Sequence, residues 1–338
     1  MTKTGAMAEP VFVVGMNGSG TTMLLDNLGR HPQLYAFPRE TRLIPYLIAS
    51  RQRFGDLEKD ENFRHLWEEV LGINVFEYVN DHHKVPLPED WQDYPRSLAG
   101  VLDGVFRYFA AREGKQRWCE KTPQHVQHMN KLGELFPLAR FIHVIRDGRD
   151  SAASFNRRWY RTPELTLFRW KKVVVAGHQL GEQLGPDRYL EVRYEDLTTD
   201  PEHWLQQICS FLKIPYDEAV LLSAQPYLNV TPLQGGELEL GRLRPNSGNW
   251  KRYFSARQLR RLERIGGSTL ASFGYSTSSP ESDFDPSGWK RRLWAGKDYL
   301  VQYLREIGLK LGGRIERPWR VILSRPFVAY RQRGENRY

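Results

Sequence analysis

Val11-Phe12-Val13-Val14-Gly15-Met16-Asn17-Gly18-Ser19-Gly20-Thr21-Thr22-Met23-Leu24-Leu25-Asp26-Asn27-Leu28 reads as a strand, a glycine-rich loop and a helix. Residues 11–14 are apolar, mostly β-branched and too few for a helix, and they stop at Gly15, which suits a strand buried on both faces. The helix opens at Thr21 or Thr22. Gly15, Gly18 and Gly20 lack a Cβ, so the backbone can turn sharply and bring its N–H groups close to an anion. Together with the positive end of the helix dipole, those amides make an anion site. The spacing fits the Walker A pattern except that Thr21 occupies the lysine position. A nucleoside triphosphatase needs that lysine on the transferred phosphate, so this loop is expected to grip a different anion. Taken alone, the stretch also fits a plain strand-turn-helix corner.

Working outward, strands are expected at residues 117–120, 141–145 (of buried type) and 189–192, alternating with helices at 123–136, 163–184 and 201–211. The fold class is therefore α/β, a doubly wound parallel sheet of P-loop type flanked by helices. Residues 35–38 read as a loop after His31-Pro32, and about 43–116 as a mainly helical insertion broken near Val85-Pro86. Thr122 is read as the N-cap, with Pro123 in the first helical position. Ser255 is a further N-cap, for a helix ending near Ser272. The expected organisation is a domain over 1–275, a linker over 276–288 rich in Ser, Pro and acids, and a basic helical extension over 289–338.

With 338 residues, 40% apolar and 12% aromatic, the chain can build a substantial core. Cys119 and Cys209 make no disulfide framework, there is no apolar signal core, and no eighteen-residue apolar run occurs, so a cytoplasmic, non-spanning protein is expected. The net charge of +9 is uneven: residues 287–338 hold 13 of the 49 Lys and Arg but 4 of the 40 acids, leaving the rest of the chain neutral.

Candidate site residues gather at the expected strand ends, where open α/β sheets bind ligands. Lys121 ends one strand. Arg146 and Arg149 follow another, with Ser154 on the next helix, either a second place to hold phosphate or an Arg-Asp network capping the helix. Tyr194 ends a third, placed to stack on or bond a base. Arg39-Glu40-Thr41-Arg42 puts an acid between bases, either a general base kept ionised by arginines or a solvated helix start. Asn246-Ser247-Gly248-Asn249-Trp250-Lys251-Arg252 follows a loop containing Gly235-Gly236 and reads either as a lid over an anion or as a core anchor. His125 and His128 have no third metal ligand at suitable spacing, so pocket or surface histidines are expected.

In order along residues 10–275, these segments resemble the sulfotransferases that use 3′-phosphoadenosine 5′-phosphosulfate (PAPS), leaving the product PAP. The resemblance implies that Asn17, Gly18, Ser19, Gly20, Thr21 and Thr22 form the 5′-phosphosulfate loop. It further implies that Arg146 and Ser154 hold the 3′-phosphate, that Tyr194 lies near the adenine, and that Asn246, Gly248, Lys251 and Arg252 belong to the late lid. Glu40-Thr41-Arg42 followed by Ile44-Pro45 is similar to the tyrosylprotein sulfotransferases and, more loosely, to carbohydrate enzymes with a glutamate base. A histidine base of the small-molecule branch would fall at Pro123. Glu40 is thus the implied base, and the acceptor a hydroxyl of a sugar, glycolipid, phenol or peptidyl tyrosine. No metal is required in this scheme. The chain departs from the family at Gly18, where a Lys or Arg would neutralise the sulfuryl group. Lys121 is the expected replacement, with Arg42 second.

Two other readings stay open, a P-loop nucleotide kinase or hydrolase and a catalytically weak PAPS- or PAP-binding adaptor at membranes. In the extension, Leu293, Leu300 and Ile307 recur every seven residues, offset from Lys297, Leu304 and Leu311. With its aromatics and basic face, this helix suits an anionic membrane surface, its own domain or a second subunit, and not nucleic acid.

Overall fold

A computed structural model describes residues 9–42, 44–221, 245–278, 280 and 283–311, the last seven as backbone only. The Gly235-Gly236 part of the expected lid and residues 312–338 of the extension lie outside the described residues, as do the side chains of Ile307 and Leu311.

The chain runs β1 (Val11–Gly15), α1 (Thr21–Leu28), β2 (Leu34–Ala36), α2 (Ile44–Ala49), α3 (Asp60–Leu71), α4 (Asn74–Val79), α5 (Leu98–Arg112), β3 (Arg117–Lys121) and α6 (Met129–Leu135). It continues through β4 (Arg140–Ile145), α7 (Gly148–Trp159), α8 (Pro163–Leu184), β5 (Tyr189–Arg193), α9 (Tyr194–Thr199), α10 (Pro201–Leu212), α11 (Trp250–Tyr253), α12 (Ala256–Ser272) and α13 (Gly288–Leu311). The five strands are parallel in the order β2-β3-β1-β4-β5. β1 is central, pairing Val13 with Lys121 on one side and Gly15 with Val144 on the other.

Strand periodicity divides the core between the two faces of the sheet. Phe12 and Val14 pack with the aromatics of the insertion, while Val11 and Val13 pack with Leu24, Leu25 and Leu28 of α1 and with α10. A third cluster joins α7, α8 and α12. Helix ends follow the sequence signals: Pro163 opens α8, Asp200 and Pro201 open α10, and Ser255 with Gln258 forms a reciprocal capping box on α12.

Two local expectations are corrected. Residues 34–36 form an edge strand instead of a loop, because β3 offers a parallel partner, Tyr35 opposite Trp118, that local sequence does not reveal. Thr122 stands at the N-cap position with Pro123 next, as expected, but of a 3₁₀ turn, and its side chain makes no cap bond. Its hydroxyl donates to Glu120 instead, and the chain runs through a short 3₁₀ turn, Pro123–His128, before α6 begins. The stretch read as a linker is tied to the domain: Ser278 donates to Glu263, and Asp283 and Asp285 pair with Lys171.

Candidate active site

Strand order brings the loop after β1, the end of β3 and the start of α7 to one edge of the sheet. In the β1–α1 loop Gly20 has φ 101°, and a Cβ there would stand 2.5 Å from the Tyr194 ring. That left-handed turn directs the chain into α1. The Leu24 amide makes the first intrahelical bond, 3.0 Å to the Gly20 carbonyl, so the Thr21, Thr22 and Met23 amides precede any intrahelical acceptor. Ser19 is 1% exposed, and its hydroxyl, like Asn17 Oδ1, has no hydrogen-bond partner among the described residues. Buried polar atoms of this kind are normally paired. Amides, hydroxyl and helix dipole together fit an anionic group lying on the loop.

Next to it, a cavity of about 230 Å³ is lined by Arg146, Ser154, Arg157, Arg158, Asn246 and Arg252, among others. The carboxylate in its wall is Asp150, which is occupied in accepting from the Gly248 amide at 2.6 Å and the Trp250 amide at 2.9 Å. Those two bonds fasten the lid residues to α7. Arg146 donates to the Gly18 carbonyl at 3.1 Å and to the Asn246 carbonyl, lies 4.4 Å from the Tyr194 ring centre, and keeps a buried Nε without a partner. Burial, and then the charges of Arg157 and Arg146, hold the Arg158 pKa below the usual arginine value. An anion brought into this cluster would offset the repulsion among these arginines. These groups fit the phosphates of a nucleotide such as PAPS.

The third part is built on β3. Lys121 Nζ lies 2.9 Å from Glu40 Oε1, while Arg42 Nε donates to Glu40 Oε2 at 2.7 Å and Arg42 Nη2 reaches the same oxygen. Burial favours the neutral carboxyl, but Lys121 and then Arg42 outweigh it and hold the Glu40 pKa below its ordinary value. Under this network sits Glu120, 0% exposed. Its Oε1 accepts from the Thr41 amide at 3.2 Å, the Thr41 hydroxyl at 3.1 Å and the Thr122 hydroxyl at 2.5 Å. His125 Nδ1 lies 3.1 Å from the other oxygen, at ion-pair distance but outside hydrogen-bond alignment. Burial would raise the Glu120 pKa; His125, Thr122 and Thr41 hold it down.

A family model described as "Sulfotransferase family" matches residues 10–218. The chain belongs to the sulfotransferase family. Among the sulfotransferases it is similar to protein-tyrosine sulfotransferase of Drosophila melanogaster, 27% identical over 225 residues, covering 62% of this chain and 39% of the relative. Protein-tyrosine sulfotransferase 1 of Danio rerio is also 27% identical, over 62% of this chain and 55% of its own. The chain thus spans about half the length, or less, of these curated relatives. In structure it is similar to the sulfotransferase domain of the Synechococcus PCC 7002 olefin synthase, with a TM-score of 0.55 and 24% identity over 81% of this chain and 98% of that domain.

Of the site residues expected from sequence, Glu40, Arg42 and Lys121 meet in one cluster, Arg146, Ser154, Asn246 and Arg252 line one cavity, and Asn17 to Thr22 form the loop between them. Tyr194 packs between Gly20 and Arg146. Gly248 serves through its amide to Asp150. Arg149 does not line the cavity: it is 2% exposed and paired with Asp147, the N-cap of α7, and with Glu263, so for this residue the capping network is the reading that holds. Lys251 points elsewhere: its ammonium lies 5.5 Å over the Trp250 ring, outside the cavity lining. His125 is 1% exposed and faces Glu120. Sequence reasoning missed Glu120, Asp150, Arg157 and Arg158. Glu120 left one signal, the one acid of a short strand, directly after the apolar pair Trp118 and Cys119.

Proposed function

We propose that the protein transfers the sulfuryl group of PAPS to an acceptor hydroxyl, with Glu40 as general base and Lys121 as the cation at the transferred group. The Glu40–Lys121 contact, at the end of the strand that pairs with β1, supports this reading: it sets a carboxylate held ionised beside a cation that Gly18 does not supply. PAPS supplies an activated sulfuryl group on a phosphate leaving group. Asn17 to Thr22 hold its 5′ end through amides and hydroxyls, Arg146 and Ser154 with Asn246, Gly248, Arg252 and more distantly Lys251 enclose the 3′-phosphate, and Tyr194 flanks the base. Glu40 accepts the acceptor's proton at its carboxylate, while Lys121 and Arg42 offset the negative charge that gathers beside it.

The acceptor is a hydroxyl of a sugar, glycolipid, phenol or peptidyl tyrosine. Similarity to protein-tyrosine sulfotransferases and the Glu40-Thr41-Arg42 segment favour trying peptidyl tyrosine first. A second reading, a weakly active PAP-binding adaptor, is favoured by Gly18, where φ is 85° and a Cβ would stand 3.1 Å from the Phe155 ring. We infer a reducing, cytoplasmic setting from the two buried free cysteines, Cys119 and Cys209. The carboxy-terminal extension contacts an anionic membrane or a second subunit.

Incubating the protein with PAPS and panels of tyrosine peptides, glycans and phenols, and reading SO₃ mass gains, tests the assignment. Acceptor-dependent gain is expected, together with thermal stabilisation by PAP. Stabilisation by ATP alone overturns the cofactor, and PAP stabilisation without any transfer favours the adaptor.

A further inference from the structure

Helix α13 packs on the domain with one face and exposes another. On the packed face Asp298 is 1% exposed and accepts from the Thr162 amide at 2.9 Å and the Thr162 hydroxyl at 2.7 Å. Arg161 reaches Gln302 at 3.0 Å, Arg291 lies 4.8 Å from the Phe168 ring centre, and Trp294 joins the cluster of α7, α8 and α12. Polar bonds thus fix the rotation of the helix about its axis.

That rotation turns the apolar stripe outward. Trp289, Leu293, Tyr299, Leu300, Tyr303 and Leu304 are each between 51% and 64% exposed. Lys290, Arg292 and Lys297 are exposed among them, and Lys290 lies 5.7 Å over the Trp289 ring. Residues 287–338 contain 13 Lys and Arg against 4 acids, and one of those acids, Asp298, is spent on docking.

We propose that this face of α13 binds an anionic lipid bilayer, the helix lying flat with its Trp, Leu and Tyr side chains in the headgroup boundary and its cations at lipid phosphates. A stripe needed for folding would face the domain; here docking is done by Asp298, Gln302 and Trp294, and the large apolar side chains are left for another surface. Aromatic and aliphatic side chains flanked by Lys and Arg are what an interfacial helix presents. Charge selects the bilayer over a second copy of this chain. Pairing two such faces sets like cations within a Debye length of each other, whereas an anionic leaflet attracts each one. The helix lies on the membrane and does not cross it: no helix among the described residues is long and apolar enough to span. The proposal stands apart from the sulfuryl-transfer reading, since it concerns a different surface.

The test is sedimentation of the full chain with phosphatidylcholine vesicles, with and without phosphatidylserine, at low and high salt. Wild type is expected to pellet with the phosphatidylserine vesicles, and to release at high salt. Exchanging Lys290, Arg292 and Lys297 for Gln together should lower the partition coefficient roughly a hundredfold. The separate triple variant Leu293→Ser, Leu300→Ser, Leu304→Ser should also lose binding. Both variants should melt with wild type, because the altered side chains are exposed. Equal binding to neutral and anionic vesicles, or full binding by both variants, overturns the proposal. So does a wild-type dimer, read by light scattering, that the leucine variant splits without loss of vesicle binding, because the occupant is then a second copy.

Discussion

Glu40 Oε1 stands 2.9 Å from Lys121 Nζ across 81 residues of sequence. The contact follows from sheet order. β2 is the edge strand beside β3, so the loop leaving β2 passes the carboxyl end of β3, where Lys121 projects. Glu120, buried just below, pins that loop through Thr41. A carboxylate gripped by Lys121 and Arg42 is ionised at neutral pH but weakly basic. On the proposed mechanism it gains strength when Lys121 turns to the transferred group, so proton removal and charge neutralisation are linked through one ammonium.

Replacing Glu40 by Gln should therefore separate binding from chemistry. The carboxylate does not line the arginine cavity, so PAP should stabilise Glu40→Gln as it does wild type. Transfer from labelled PAPS to the acceptor identified by screening should fall about 10²- to 10⁴-fold, the range for loss of a general base. Unchanged turnover would remove Glu40 from that role.

Removing Lys121 should change the pH profile as well as the rate. Lys121 is the strongest influence holding the Glu40 pKa below its ordinary value of 4.5, and Arg42 is the next. Lys121→Met frees the carboxyl to protonate at higher pH, so the acid limb of kcat/KM should move upward, and Arg42→Gln should move it less. If neither variant shifts the limb, the group titrating there is not Glu40.

The parallel sheet and its loop were legible because Val11 to Gly20 carries its own geometry: a buried strand, then glycines where φ is positive. That Arg146 and Ser154 line one cavity could be anticipated because one directly follows β4 and the other lies on the next helix. What local sequence could not show was anything that depends on strand neighbours. β2 exists because β3 pairs with it, and Glu120 matters because Thr41 arrives from another strand's loop. Thr122 carries a strong N-cap signal, yet its hydroxyl is taken by Glu120 two residues back, whose carboxylate is held in place from afar by Thr41. Lys251 and Arg252 are adjacent in sequence, and only helical rotation in α11 decides that Arg252 lines the cavity.

Gly18 tests whether the cation lost from the loop can be restored. Its φ of 85° is left-handed, and a Cβ there would stand 3.1 Å from Phe155 Cε2. A left-handed side chain costs about 1–2 kcal/mol. Gly18→Ala and Gly18→Arg should both lower the melting temperature by roughly 1–3 °C. Neither should gain turnover. A faster Gly18→Arg enzyme of unchanged melting temperature would show that the position accepts a cation and that Lys121 does not suffice.

Glu120 should be needed for both folding and turnover. Glu120→Ala strips one oxygen that serves three donors from Thr41 and Thr122, and breaking a buried charged network costs about 3–5 kcal/mol. Glu120→Gln keeps the size and an acceptor oxygen, so its melting temperature should fall less. In the Gln variant kcat should drop while the KM for PAPS holds, because the loosened loop carries Glu40 and not the phosphate cavity. A KM increase at constant kcat would contradict this placing.

On β4, His143 predicts how stability depends on pH. It is 0% exposed, and burial, then the charge of His178, pushes its pKa from 6.5 down to about 3. The Tyr189 hydroxyl donates to Glu191 Oε1, so His143 Nδ1, 2.7 Å from that hydroxyl, is the donor to it. The unfolded chain takes up a proton below the ordinary value that the folded chain refuses, so the contribution is complete above that value and is lost as pH falls toward 3. From about pH 7.5 to 5.5 this one residue should remove about 1.4 kcal/mol of stability. Urea denaturation of wild type and His143→Asn at both values measures the difference. Wild type should lose more than the variant by that amount, and matching losses would mean that His143 is not held neutral by its burial.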